Sequence, residues 1–134
     1  MKYRGGYKYQ TLDAVEIHTT VKDMFSANVF CTLDLNGLLR INPGYAWDGP
    51  SGLFTVHTDN FMTPSLVHDA LYQMIREELI PADPCRLLAD KLLKKMCIER
   101  GMSALRAQYV YAAVRNFGSA SAIPGDTRPV LETS

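Results

Sequence analysis

The segment His68-Asp69, with Tyr72 four residues after the histidine, has the residue types in this sequence best suited to chemistry. An α-helix repeats every ~3.6 residues, so His68 and Tyr72 would lie on one helical face. Ile75 and Leu79 continue that apolar stripe, and the imidazole is therefore predicted to face the interior or a cleft in it. An imidazole whose second nitrogen is held by a carboxylate can take a proton from water.

Two helices joined by a short break are predicted to position these groups. The first should run from about Pro64 to Leu79, with Thr63 as its N-cap and proline at the first helical position. Ile80-Pro81-Ala82 interrupts the pattern, and a second helix should run from about Asp83 to Arg100. Such a short connection favours an antiparallel pair.

Asp90 is the second informative residue, because it lies at the margin of the apolar face of the second helix, outside its lysine cluster. In an antiparallel pair its carboxylate can reach His68, fix the imidazole tautomer and accept the hydroxyl of Tyr72. His68, Asp90 and Tyr72 are therefore the predicted catalytic group.

Asp69 points to the side of the stripe, where its carboxylate can serve a hard cation. The upstream loop from Trp47 to Gly52 contains glycines that let backbone carbonyls turn inward, and Asp48 adds a carboxylate. Calcium prefers oxygen ligands of this kind and tolerates irregular geometry.

Composition limits the function classes. A chain of 134 residues with 47% hydrophobic residues is sufficient for one domain, and its 14 basic and 14 acidic residues cancel, so no nucleic-acid partner is expected. Met1 to Gln10 is polar, which predicts no signal peptide and synthesis in the cytoplasm. Cys31, Cys85 and Cys97 lack metal-ligand spacing and are expected to be free, buried thiols.

The predicted fold is α+β, with a small antiparallel sheet from the N-terminal third packed on a three-helix unit. Strands are expected within Tyr7–Thr19, on both sides of a type I′ turn at Asn36-Gly37, and at Tyr45-Ala46-Trp47. A third helix should begin after Ser103 and end at Gly118. We expect one domain over residues 1–118, strand- and loop-rich over 1–62 and helical over 63–118, followed by a flexible tail over 119–134.

The pattern His68-Asp69-x-x-Tyr72, with a glycine-bearing loop before it and Arg86-x-x-x-Asp90 after it, resembles the secreted phospholipase A2 enzymes, the compact prokaryotic type above all. The resemblance implies a phospholipase A2-like helix pair in which His68 is the base for a hydrolytic water and Asp90 with Tyr72 supports it. It also implies a calcium ion held by Asp69 and the loop residues Trp47, Asp48, Gly49 and Gly52, and a phospholipid membrane surface as partner.

A second resemblance covers residues 44–118. The order Gly44-Tyr45-x-x-Asp48-Gly49-x-Ser51, the His-Asp-x-x-Tyr helix, Ala89-Asp90 and a final apolar helix is similar to a family of small bacteriophage and prophage proteins with no settled activity. It implies a phage origin, other phage proteins as partners, and a protein that becomes part of the virion or is released at lysis.

Structural interpretations of the same residues stand beside the functional ones. His68 can be a core histidine bonded to Asp90 for stability alone, and Asp90 can instead pair with Arg86 or Lys94 at helical spacing. Asp69 can pair with Arg76 in the same way.

Three functions therefore remain open: a calcium-dependent phospholipid or other ester hydrolase, a non-catalytic virion or assembly protein on the same scaffold, and a hydrolase in which a transition metal is bound by His68, Asp69 and Asp90.

Overall fold

The computed structural model describes residues 3–4, 9–47 and 59–122. Its helices are α1 (Asp59–Arg76), α2 (Ala82–Glu99) and α3 (Ala104–Phe117), followed by a 3-10 turn, Ser119–Ala122. Its strands are β1 (Tyr3–Arg4), β2 (Tyr9–Thr11), β3 (Val15–His18), β4 (Ser26–Ala27), β5 (Cys31–Leu33), β6 (Leu38–Ile41) and β7 (Ala46–Trp47).

The strands form two antiparallel sheets, one in the order β1-β2-β7 and one in the order β3-β6-β5-β4. In the larger sheet Leu39 and Ile41 are fully buried while Arg40 between them faces solvent, the alternation expected of a sheet covered on one side. The buried face packs on α1 and α2 in one continuous core. The predicted α+β class is confirmed.

The turn between β5 and β6 differs from the predicted type I′ turn. Positive φ in this turn occurs at Gly37 (89°) and not at Asn36, whereas a type I′ turn needs it at both central residues. Instead, Gly37 N–H donates to the Asp34 carbonyl (3.1 Å), which leaves Leu35-Asn36 in the centre of the turn. A Cβ on Gly37 would lie 2.5 Å from the Thr19 carbonyl oxygen, so only glycine fits there.

Helix α1 begins before the predicted start, and the assignment of Thr63 as N-cap is wrong. The helix starts at Asp59, and Pro64 lies inside it. Phe61 and Met62 are buried, and this apolar contact extends the helix on the N-terminal side of the proline. The helix ends at Arg76 rather than Leu79, because Glu78 adopts positive φ (60°) and the Leu79 N–H turns back to the Met74 carbonyl (2.9 Å).

Helices α2 and α3 lie close to their predicted ranges. The Ser103 side chain accepts a hydrogen bond from the Arg106 N–H (3.2 Å), as expected of an N-cap, and Gly118 ends α3. Residues 119–122, which the sequence places in the tail, form the 3-10 turn, and Ala122 is buried against the main core. Residues 123–134 lie outside the described part of the chain.

Helix α2 lies between two apolar clusters. Leu92 and Met96 belong to the core shared with the sheet and α1, whereas Leu93 and Cys97 belong to a second cluster with α3 and Phe61. All three cysteines are buried and free, as predicted. Among the described helices, none is long and apolar enough to cross a membrane.

Candidate functional site

Asp90 is fully buried (0% exposed) at the place where the three helices meet. Its Oδ1 lies 2.6 Å from Nε2 of His68 and accepts the hydroxyl hydrogen bond of Tyr72 (2.5 Å), and both of these residues belong to α1. Its Oδ2 accepts a hydrogen bond from Nη1 of Arg115 on α3 (2.7 Å). Each carboxylate oxygen therefore has a donor, as a buried charge requires.

The spacing of His68 and Tyr72 brings both side chains to the face of α1 that contacts α2. Their ring centroids lie 4.1 Å apart with planes inclined by 38°, so the tyrosine ring supports the imidazole while its hydroxyl reaches the same carboxylate. His68 and Asp90 are equally distant along the chain from Leu79 in the connection, as expected of an antiparallel helix pair. The structure thus brings the predicted group His68, Tyr72 and Asp90 together.

The donors around Asp90 determine its charge. Burial by itself would raise the pKa of Asp90, but the hydrogen bonds from His68 and Tyr72, the charge of His68 and the hydrogen bond from Arg115 together lower it below the ordinary 3.8. Burial, with the adjacent carboxylate, raises the pKa of Tyr72, which is therefore a neutral hydroxyl donor. At neutral pH the site contains a carboxylate and three donors.

His68 is only 8% exposed, and burial alone would lower its pKa. The nearby carboxylates of Asp69 and Asp90 outweigh that effect, through their contacts and charges, and raise the pKa above 6.5. Nε2 faces Asp90, whereas Nδ1 lies 3.9 Å from Oδ1 of Asp69. The two aspartates therefore approach different nitrogens of one imidazole.

The sequence pattern did not indicate Arg115. The only sequence signal was a basic residue in the last turn of a helix, a position that cations favour for reasons unrelated to a site. Its partner Asp90 lies 25 residues earlier, and that contact depends on how α3 packs.

The predicted alternatives for Asp90, pairing with Arg86 or Lys94, are wrong. Arg86 donates from Nη2 to the carbonyls of Val114 (2.9 Å) and Arg115 (2.8 Å) at the end of α3. Lys94 donates to Oε1 of Gln108 (2.6 Å). Neither of them contacts the Asp90 carboxylate, whose oxygens accept hydrogen bonds from residues of α1 and from Arg115.

The residues predicted to bind calcium are described only in part. The Asp69 side chain is 39% exposed next to His68, and an accessible carboxylate of this kind suits a hard cation. Trp47 ends β7, while Asp48, Gly49 and Gly52 lie outside the described residues. Just before β7, the Tyr45 hydroxyl donates to Oε1 of Gln73 (2.9 Å), which fixes the chain against α1 one turn after Asp69.

Within residues 3–4, 9–47 and 59–122, no group of three or more His, Cys, Asp or Glu side chains is placed to hold a metal ion. Of the residues predicted to bind calcium, Asp69 is the one whose side chain the structure describes. His68, Asp69 and Asp90 do not converge on a common point, because the two carboxylates meet different ring nitrogens.

A scan against family models, a search of curated proteins and a search of solved structures each found no match to this chain. The interpretation of the site therefore depends on its geometry and on the sequence resemblances given above.

Proposed function

We propose that this protein is an ester hydrolase, with phospholipids as the first substrate class to test, in which His68 is the general base. One observation carries the proposal: the 2.6 Å contact between Nε2 of His68 and Oδ1 of a fully buried Asp90, an oxygen that Tyr72 also engages. A buried carboxylate that orients an imidazole is an arrangement used in general-base catalysis.

The chemistry follows from the two ring nitrogens. With Nε2–H donating to Asp90, Nδ1 carries the lone pair and can accept a proton from water. The water oxygen then bonds to the ester carbonyl carbon, and the carbon–oxygen bond to the leaving alcohol breaks after that alcohol takes the proton from Nδ1. Asp90 stabilises the imidazolium that exists between these two transfers.

Calcium is part of the proposal through Asp69. When bound, it would polarise the ester carbonyl and stabilise the oxyanion. Among the described residues Asp69 is the one that would hold it, and Trp47, Asp48, Gly49 and Gly52 remain ligand predictions from the sequence resemblance. The phage origin, the action at a host membrane and the release at lysis are likewise proposals based on that resemblance.

A second function, a non-catalytic phage protein on the same scaffold, is favoured by a different observation. His68 is 8% exposed, and the contacts around Asp90 connect all three helices, which suits a purely structural cluster. The two proposals predict opposite results in one assay.

The assay is fatty-acid release from vesicles of mixed phosphatidylcholine and phosphatidylglycerol, with calcium or with a chelator. Wild type should release fatty acid with calcium, and His68→Ala should lower the rate about 10²–10⁴-fold, the usual contribution of a general base. His18→Ala is the matched control, because His18 is an exposed histidine on β3. Asp69→Asn should raise the calcium concentration needed for half-maximal rate. Absence of release by wild type would exclude a phospholipid hydrolase and favour the scaffold function, and release that does not depend on His68 would exclude His68 as the general base.

A further inference from the structure

Two residues of α2 contact Arg115, one at its side chain and one at its main chain. Asp90 Oδ2 accepts a hydrogen bond from the Arg115 guanidinium (2.7 Å), and Arg86 donates to the Arg115 main-chain carbonyl (2.8 Å). Arg86 and Asp90 are four residues apart on α2, so both side chains leave the same face of that helix. Arg86 also places a cation at the C-terminal end of α3, where the helix dipole favours one.

Arg115 occupies the carboxylate oxygen that His68 does not use. The His68 and Tyr72 contacts are both at Oδ1, and Arg115 is at Oδ2. A carboxylate free to turn about its last side-chain bond would not hold either oxygen at a fixed position beside the imidazole. The guanidinium bond to Oδ2 opposes that rotation, and its charge compensates the charge of a carboxylate that is 0% exposed.

We infer that Arg115 is a positioning residue for His68, acting through Asp90, and that Arg86 positions Arg115. Helix α3 is then part of the site, although it supplies no group that would touch the substrate. The catalytic part of this inference rests on the proposed hydrolase function. The positioning part concerns only the imidazole and can be measured without any substrate.

The first experiment measures the imidazole directly. Long-range nitrogen–proton NMR spectra of ¹⁵N-histidine-labelled protein, recorded at alkaline pH, report which ring nitrogen carries the proton, and the His68→Ala variant assigns the signal. Wild type should show His68 as a single tautomer with the proton on Nε2. Arg115→Met should give averaged nitrogen shifts typical of a tautomer mixture, and Arg86→Met should give a smaller shift in the same direction.

Arg115→Lys is the conservative variant and should restore most of the wild-type spectrum, because it keeps a cationic donor at this position. Arg106→Met, on the same helix and away from Asp90, is the control and should leave the spectrum unchanged. If Arg115→Met does not fold, Arg115→Gln is measured against the same criteria. A folded Arg115→Met or Arg115→Gln variant with an unchanged His68 tautomer would overturn the inference.

The second experiment applies if the vesicle assay shows activity. Arg115→Met should lower kcat about 10- to 100-fold with KM changed less than about twofold, in line with other groups that orient a ligand without touching the substrate. The same substitution in an Asp90→Asn background should lower kcat little further, because both residues act through one carboxylate. Equal losses in both backgrounds would contradict the assigned role. An inactive wild type would remove the proposed hydrolysis of phospholipids, and the NMR result would still decide the positioning role.

Discussion

Two ion pairs with the same separation lie in different regions of this protein. In the sheet, Nη1 of Arg40 lies 2.7 Å from Oε1 of Glu16, and the two side chains are 49% and 51% exposed. Among the helices, Nη1 of Arg115 lies 2.7 Å from Oδ2 of Asp90, and these side chains are 31% and 0% exposed. Distance is the same in both pairs, so burial is what distinguishes them.

The difference in burial decides what each pair contributes. Glu16 and Arg40 face each other across β3 and β6 in water, where an exposed pair stabilises the fold by about 0.2–1 kcal/mol. Asp90 is inaccessible to solvent, and its charge is compensated by protein donors. Removing one member of the pair therefore leaves a buried charge without compensation. A close contact at the surface is therefore replaceable, whereas the contacts of Asp90 connect three helices and orient a candidate base.

Removing Asp90 should have the largest effect. Asp90→Ala leaves His68, Tyr72 and Arg115 without their common acceptor, and we expect the free energy of unfolding to fall by about 3–5 kcal/mol. Urea unfolding followed by circular dichroism measures the change, and Lys91→Ala, at the next and exposed position, is the control. A loss as small as that of Glu16→Gln would show that burial does not separate the two pairs.

Gly118→Ala should have an intermediate effect. A Cβ at this position would lie 2.9 Å from the Tyr72 hydroxyl and would also meet the Val114 carbonyl, although the backbone itself suits any residue (φ −80°, ψ −13°). We expect overpacking to destabilise the protein by about 1–3 kcal/mol and to move Tyr72 away from Asp90. Thermal unfolding measures this loss of stability, and Asn116→Ala, at an exposed position, is the control. An unchanged melting temperature would mean that the end of α3 shifts to accommodate the added Cβ without disturbing the site.

Changing pH should have a smaller effect than removing Asp90, because protonation leaves the side chain in place. The pKa of Asp90 is lowered by folding, so its contribution is present above pH 3.8 and is lost as pH falls through the folded value. The pKa of His68 is raised, so its contribution is full below pH 6.5 and is lost as pH rises through the folded value. Unfolding measured across pH should show greatest stability between these limits. In Asp90→Asn, the free energy of unfolding should change less with pH on both the acidic and the alkaline side of this maximum. An unaltered pH dependence in that variant would contradict the roles assigned to Asp90 and His68.

Breaking the sheet pair should have the smallest effect. Glu16→Gln should lower the free energy of unfolding by less than about 1 kcal/mol, and this difference should shrink at high salt because the pair is exposed to solvent. Urea unfolding of wild type and variant at two salt concentrations measures this difference in free energy. A larger, salt-independent loss would indicate that the pair is more important than its exposure suggests.

The parts of the fold set by local patterns were predictable. Ser103 caps α3, Gly118 ends it, and the sheet alternates as expected. The predictions failed where packing overrides local preference: burial of Phe61 and Met62 extends α1 past Pro64. The predicted type I′ turn at Asn36-Gly37 was wrong for a similar reason. Glycine is required at position 37 because a Cβ there would meet the Thr19 carbonyl, and not because a type I′ turn forms.

The sequence alone determined that His68 and Tyr72 share a helical face and that Asp90 lies at the margin of another, because helical periodicity follows directly from residue spacing. The tertiary structure alone decided that these faces meet, that Asp90 is fully buried, and that Arg115 and Arg86 complete its surroundings. The physical reason is that a contact between residues more than twenty positions apart depends on how whole helices pack, and no local periodicity encodes that packing.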